Sequence, residues 1–140
     1  MDIYEATQYI LTTAVSDNVN VSAYVLTYDA EVDKYLLPDF PAVTYNYSGI
    51  TPVVDMGGGT NLSRVTLDVE VWGDLEQINT NANLVMKALN GQRVNIENIE
   101  FTVVLRESRD IAELGLDFKR RLMRFIGIVE INEVQDGESR

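Results

Sequence analysis

The chain has 140 residues, which suits one domain, because a single core of that length buries roughly two thirds of the unfolded surface. Hydrophobic residues make up 46% of the sequence and charged residues 24%, the balance of a folded globule. The formal net charge of −11 opposes non-specific binding to nucleic acid. The sequence has no Cys and no His, which excludes disulfides, common zinc sites, Ser-His-Asp triads and imidazole catalysis.

The amino terminus lacks the basic start and the apolar stretch of a secretory signal. No run approaches the ~20 apolar residues that a membrane-spanning helix needs. We therefore expect a soluble protein that is made in a reducing cytosol and has no membrane partner.

The first predicted element is a helix over residues 2–15, whose start suits a capping box of Asp2 and Glu5. Its apolar face comprises Ile3, Ala6, Ile10, Leu11, Ala14 and Val15. A turn and then a strand over residues 22–28 are predicted next, the strand because it is rich in β-branched and aromatic residues. Residues 29–40 fit either a hairpin with a long loop or a short helix.

Two strands with alternating side chains follow. Residues 42–47 place Val43, Tyr45 and Tyr47 on one face, and Pro52 confines the continuation to a sheet edge. The clearer strand covers residues 62–72. One of its faces carries Val65, Leu67, Val69 and Val71, and the other carries Arg64, Thr66, Asp68 and Glu70. One face is therefore expected to pack on helices and the other to meet solvent or a neighbouring subunit.

A second helix is predicted from the cap Asp74 to Leu89, with Gln77 completing a capping box and Gly91 at its end. Its apolar face comprises Leu75, Ile78, Ala82, Val85, Met86 and Leu89.

The remaining chain is predicted to hold two strands. The predicted segments are a turn over 92–98, a strand over 101–105, a loop or short helical turn over 107–117 and a strand over 118–131. The acidic tail, residues 132–140, has no periodicity and is expected to be disordered. This order predicts one α+β domain over residues 1–131, a mostly antiparallel sheet with two amphipathic helices packed on one face.

One loop is rich in glycine. It comprises Asp55, Met56, Gly57, Gly58, Gly59, Thr60 and Asn61. A phosphate-binding loop would lead into a helix, whereas this one leads into a strand and lacks the Lys of a Walker motif. The open interpretations are a flexible hairpin connection or a docking loop that becomes ordered on contact with a neighbour.

Charged side chains supply the other candidates. Asp68 and Glu70 share one strand face. The open interpretations of this pair are a solvated surface, an acidic lining or, with less support, a cation site. A basic cluster comprises Lys119, Arg120, Arg121 and Arg124, where alternation puts Lys119 and Arg121 on one face and Arg120 and Arg124 on the other. The cluster fits a solvated strand end, a contact with an acidic neighbouring subunit or a nucleic-acid site. Residues 1–80 carry 12 acids and 2 bases, which favours the subunit contact over nucleic acid.

The order of these elements resembles the tail-terminator, or tail-completion, proteins of long-tailed bacteriophages. The resemblance rests on the first helix, Phe40-Pro41-Ala42-Val43-Thr44-Tyr45, the alternating strand to Trp72, the helix from Asp74 and the basic start of the last strand. It spans residues 2 to about 131.

The resemblance implies a non-enzymatic virion protein, assembled in the bacterial cytoplasm. It implies a homohexameric ring that caps the tail tube, ends tube polymerisation and joins the tail to the head connector. The alternative is a head-tail connector or neck protein that binds the portal side. We expect no catalytic residues, because a bare carboxylate pair lacks a positioned partner for catalysis. We also expect no metal or cofactor residues, no cofactor and no sequence-specific nucleic-acid partner.

Overall fold

The computed structural model describes residues 2–23, 27–31, 34–36, 39–55, 60–112 and 119–132. Within these residues the chain forms two helices, a six-stranded sheet and a separate two-stranded sheet. The fold is α+β, as the sequence predicts, and both helices lie against one face of the large sheet.

The two helices have the predicted positions and caps. Helix α1 covers Ile3–Ala14 and helix α2 covers Leu75–Leu89. Each begins with a complete capping box, Asp2 with Glu5 and Asp74 with Gln77, so two otherwise unpaired backbone N–H groups are satisfied at each start.

The large sheet has the strand order β1-β4-β5-β8-β7-β6. Its strands are β1 Asn20–Ala23, β4 Ala42–Asp55, β5 Thr60–Gly73, β6 Arg93–Ile96, β7 Ile99–Ala112 and β8 Lys119–Asn132. Neighbouring strands are antiparallel except for β1 and β4, which are parallel. The small sheet pairs β2 Thr27–Asp29 with β3 Lys34–Leu36.

Several sequence-based boundaries were wrong. The strand predicted over residues 22–28 is two strands, β1 and β2, which belong to different sheets. The ambiguous stretch after it forms the β2–β3 hairpin, so the short-helix alternative is wrong. The turn predicted over 92–98 contains β6, whose Val94 and Ile96 are partly buried against the core.

The largest correction concerns β7. The polar residues from 107 to 112, predicted as a loop, continue this strand as far as Ala112, which pairs with Lys119 of β8. Backbone pairing with β8 overrides the polar composition here, because strand propensity depends on context. Residues 113–118 lie outside the described residues. The tail predicted over 132–140 also lies outside them, apart from Asn132, which ends β8.

The core lies between the helices and one face of the sheet, here called the inner face. Its largest buried side chains on the helices are Leu11, Ile78 and Leu89. The strands contribute alternate residues: Val43, Tyr45, Val65, Leu67, Val69, Val71, Phe101, Val103, Met123, Phe125 and Val129. The residues between them point to the opposite, outer face, which the helices do not cover.

Candidate assembly surfaces

The outer face holds a small cluster around Trp72, at the end of β5. The Trp72 side chain is only 1% exposed. Phe40 stacks on it with ring centroids 6.0 Å apart, and the Arg120 guanidinium lies 5.1 Å from the Trp72 ring centroid. The indole Nε1 donates a hydrogen bond to Thr44 Oγ1 at 2.9 Å. Trp72 thus has a packing role, as expected for a large aromatic side chain with one polar atom.

Cross-strand ion pairs continue from this cluster along β5 and β8. Arg124 Nε donates to Asp68 Oδ1 at 2.8 Å, and the two residues are direct partners in the strand register. Arg120 Nη1 lies 3.2 Å and 3.3 Å from the two carboxylate oxygens of Glu70. The hydrogen bonds to Asp68 raise the pKa of the Arg124 guanidinium. Strand pairing therefore joins the predicted acidic pair to the predicted basic cluster within one chain.

The Arg121 side chain lies on the opposite face of β8 from Arg120 and Arg124. Its Nε donates to Asp110 Oδ1 at 2.6 Å and its Nη2 donates to Asn79 Oδ1 of α2 at 2.9 Å. The predicted alternation of Arg120 and Arg124 against Arg121 is confirmed by the register of β5 and β8. The described side chains show intramolecular pairs, and membership of a subunit interface stays a prediction for all six charged residues, Lys119 included.

The other half of the outer face carries exposed aliphatic side chains beside polar ones such as Arg64. Val104 is 47% exposed and Ile128 is 42% exposed. A shallow groove of about 370 Å³ runs beside Ile128, between Thr51, Arg64 and Ile126. This surface was not predicted from the sequence, although the signal was present. The stretch Phe125 to Val129 has apolar residues or glycine at every position, so both faces of the strand lack charge.

A second groove, here called the α1 groove, runs along the solvent side of helix α1. Its volume is about 660 Å³, and its lining consists of Asp2, Tyr4, Glu5, Gln8, Tyr9, Thr12 and Tyr45. The Tyr45 hydroxyl donates toward Gln8 Oε1 at 2.9 Å and lies 3.2 Å from the Tyr4 carbonyl oxygen. Burial, and next the negative charge of Asp2, raises the pKa of Tyr45. The groove therefore has a fixed aromatic floor and an acidic rim.

The sequence did not reveal the α1 groove, because Tyr45 reaches it only through the packing of β4 against α1. A partial signal exists: Tyr4, Gln8, Tyr9 and Thr12 fall away from the apolar stripe of the helix. Exposed tyrosines on one helix face are the usual marks of a contact surface.

The predicted docking loop connects β4 to β5, which are paired neighbours. Asp55 ends β4, Thr60 begins β5, and Asp55 is the register partner of Asn61. The loop's centre, Met56, Gly57, Gly58 and Gly59, lies outside the described residues. The expectation that the loop is mobile until it docks concerns that segment.

No group of three or more potential metal ligands occurs among the described residues. In the same part of the chain, no helix has both the length and the apolar character of a membrane span.

The fold and these surfaces define a class: a small α+β domain whose described residues present ion pairs, aliphatic side chains and tyrosines to the outside. A family model, tail completion protein gp17, matches residues 11–129. The chain belongs to this tail completion family and is a structural protein of the phage tail.

One solved structure of similar fold is a chain in the virion of a native gene transfer agent (GTA) particle. Its TM-score is 0.54 at 15% sequence identity, over 86% of this chain and 84% of that chain. At this identity the likeness shows the fold alone. No curated protein matches the chain.

Proposed function

We propose that this protein is a tail terminator: a ring subunit that caps the tail tube, ends its polymerisation and joins the tail to the head connector. The observation that carries the proposal is the family match over residues 11–129, which includes α2, five strands of the large sheet and β8 as far as Val129. The match therefore supports a function of most of the domain, and it leaves out the first part of α1. Contact surfaces on both sides of the subunit agree with a role in assembly.

The ring is built by a heterologous interface, in which the surface that one subunit offers differs from the surface that it meets. The outer face and the α1 groove differ in the required way, one with ion pairs and aliphatic side chains and the other with an acidic rim. We place Asp68, Glu70, Lys119, Arg120, Arg121 and Arg124 at or beside this interface. The pairs that Arg120, Arg121 and Arg124 form within the chain fix the geometry of these charges before subunits meet.

The tube contact is assigned to the loop from Asp55 to Asn61. The β4–β5 connection and the β7–β8 connection lie at opposite ends of the sheet, because Thr60 pairs with Asn132 and Gly73 pairs with Lys119. A capping ring needs two ends with different partners, the tube on one side and the head connector on the other. We propose that the end at residues 55–61 meets the tube.

Native mass spectrometry and negative-stain imaging of the purified protein test the ring. We expect one closed species, a hexamer, at micromolar protein concentration. A monomeric mass at all concentrations, also when tail tube is present, contradicts the proposal. Binding to portal or connector particles without any binding to tubes favours the neck or connector function instead.

A further inference from the structure

Among the described residues, no cation lines the acidic rim of the α1 groove. Asp2 and Glu5 are the charged residues that line the groove, and both accept backbone N–H groups of the capping box. Among the described residues no ion pair involves either carboxylate. Beside them Tyr9 is 56% exposed and Tyr4 is 38% exposed. Two carboxylates next to open tyrosine rings form an environment that attracts a guanidinium group.

Arg106 is a cation that, conversely, has no described anionic partner. It is the extra residue of a β-bulge between Leu105 and Glu107 on β7, and such bulges turn a side chain away from the regular alternation. It is exposed, and it has no ion pair with a described residue, whereas Arg109, Arg120, Arg121 and Arg124 all do.

Arg106 also lies on an accessible strand edge. The described part of β6 pairs with β7 only between Ile99 and Thr102. From Val104 onward, β7 has no described strand on that side. Val104, two positions earlier on the same strand, is an exposed apolar side chain.

The two features lie on different elements, one on helix α1 and the other on strand β7. Helix α1 lies over β1 and β4, to which Tyr45 and Tyr47 belong, and two further strands, β5 and β8, separate β4 from β7. Separate, complementary surfaces of this kind are what a head-to-tail contact between identical subunits requires.

We propose that Arg106 of one subunit enters the α1 groove of the next copy of this chain, between the carboxylates and the tyrosine rings. This inference rests on the proposed ring and names its contact. The guanidinium neutralises the acidic rim, and the tyrosines cover its faces. Because every subunit offers one groove and one Arg106, the contact repeats around the ring.

Two exposed positions allow a charge exchange without disturbing the core. Arg106→Glu reverses the charge of the entering side chain, and Thr12→Arg adds a cation to the groove in the last turn of α1, where a helix tolerates basic residues well. Each single variant is expected to shift the assembly midpoint to at least a tenfold higher protein concentration, measured by mass photometry. Lys87→Glu is the matched control, because Lys87 is an exposed cation without a described ion pair, on helix α2 and outside both proposed contact surfaces.

Mixing the two variant proteins gives the decisive test of the contact. An equimolar mixture of the Arg106→Glu and Thr12→Arg proteins restores the paired charges in an alternating hexamer, so assembly should return toward the wild-type midpoint. Circular dichroism of each variant confirms that the subunits are folded.

If wild-type rings form and Arg106→Glu rings form equally well, the proposed contact is wrong but the ring proposal stands. If Arg106→Glu rings form normally but no longer bind tubes, the groove's occupant or the partner of Arg106 is the tube protein, which overturns the assignment to a second copy. If the wild type forms no ring, the proposed function itself fails.

Discussion

At the residue scale, the hydroxyl of Tyr47 shows how a polar atom is satisfied inside the core. The Thr7 hydroxyl has a single proton, which it donates to the Ile3 carbonyl at 2.7 Å. The Tyr47 hydroxyl, 2.6 Å from Thr7 Oγ1, must therefore act as the donor in that pair. Because burial disfavours the tyrosinate, the pKa of Tyr47 is raised.

Tyr47→Phe should lower the free energy of unfolding by about 1 kcal/mol in urea denaturation at pH 7, since one buried hydrogen bond is lost. A tyrosine with a raised pKa contributes stability that is present below its unfolded pKa of about 10 and is lost as the pH rises above that value. The wild-type protein should therefore lose stability above about pH 10 more steeply than the variant. Parallel alkaline profiles of the two proteins would contradict this role of Tyr47.

Gly127 is required for a different reason, the close approach of two backbones. A Cβ atom at this position would lie 2.1 Å from the Thr102 carbonyl oxygen and 2.7 Å from Val103 Cα. Gly127→Ala should cost about 3 kcal/mol or more, because backbone atoms cannot move aside as a flexible side chain can. Gly49→Ala is the control, since its Cβ would lie 3.8 Å from the nearest atom, Thr66 Oγ1. Thermal unfolding of both variants checks this difference, and equal losses would show that β7 can shift.

At the scale of elements, the ion pair between Asp68 and Arg124 contributes to the pairing of β5 with β8. Arg124→Asp places two carboxylates opposite each other and should lower the melting temperature, whereas the exchange Asp68→Arg with Arg124→Asp should recover most of the loss. Differential scanning calorimetry measures both effects. If Arg124→Asp and Asp68→Arg each lose ring formation as single variants and regain it when the two proteins are mixed, the two residues pair between subunits.

The elements also show what the sequence can and cannot predict. Both helices and the strand β5 were predictable, because caps and side-chain period are local properties. The polar end of β7 was not, since its pairing with β8 is tertiary. For the same reason Arg124 and Asp68, 56 positions apart, were identified as candidates but could not be matched to each other. The α1 groove needs Tyr45 from a strand more than 30 positions away, so it follows only from packing.

At the scale of the whole molecule, the proposed tube contact depends on the loop at one end of the sheet. Deleting Gly57, Gly58 and Gly59 leaves Met56 and Thr60 between the register partners Asp55 and Asn61, so the connection keeps the two-residue length of a tight hairpin but loses its glycines. We expect the deletion variant to fold and form rings but to bind tubes more weakly in a co-sedimentation assay. Unchanged binding would remove the docking role from this loop.

Tube growth in the presence of the protein tests the proposed terminator function. Purified tail-tube protein polymerises with and without the ring, and electron micrographs give the length distribution and the appearance of the ends. We expect tubes to stop growing when the ring is added and ring density to be found at one end of each tube. Tubes that grow to the same lengths, with bare ends at saturating ring concentration, would contradict the terminator function.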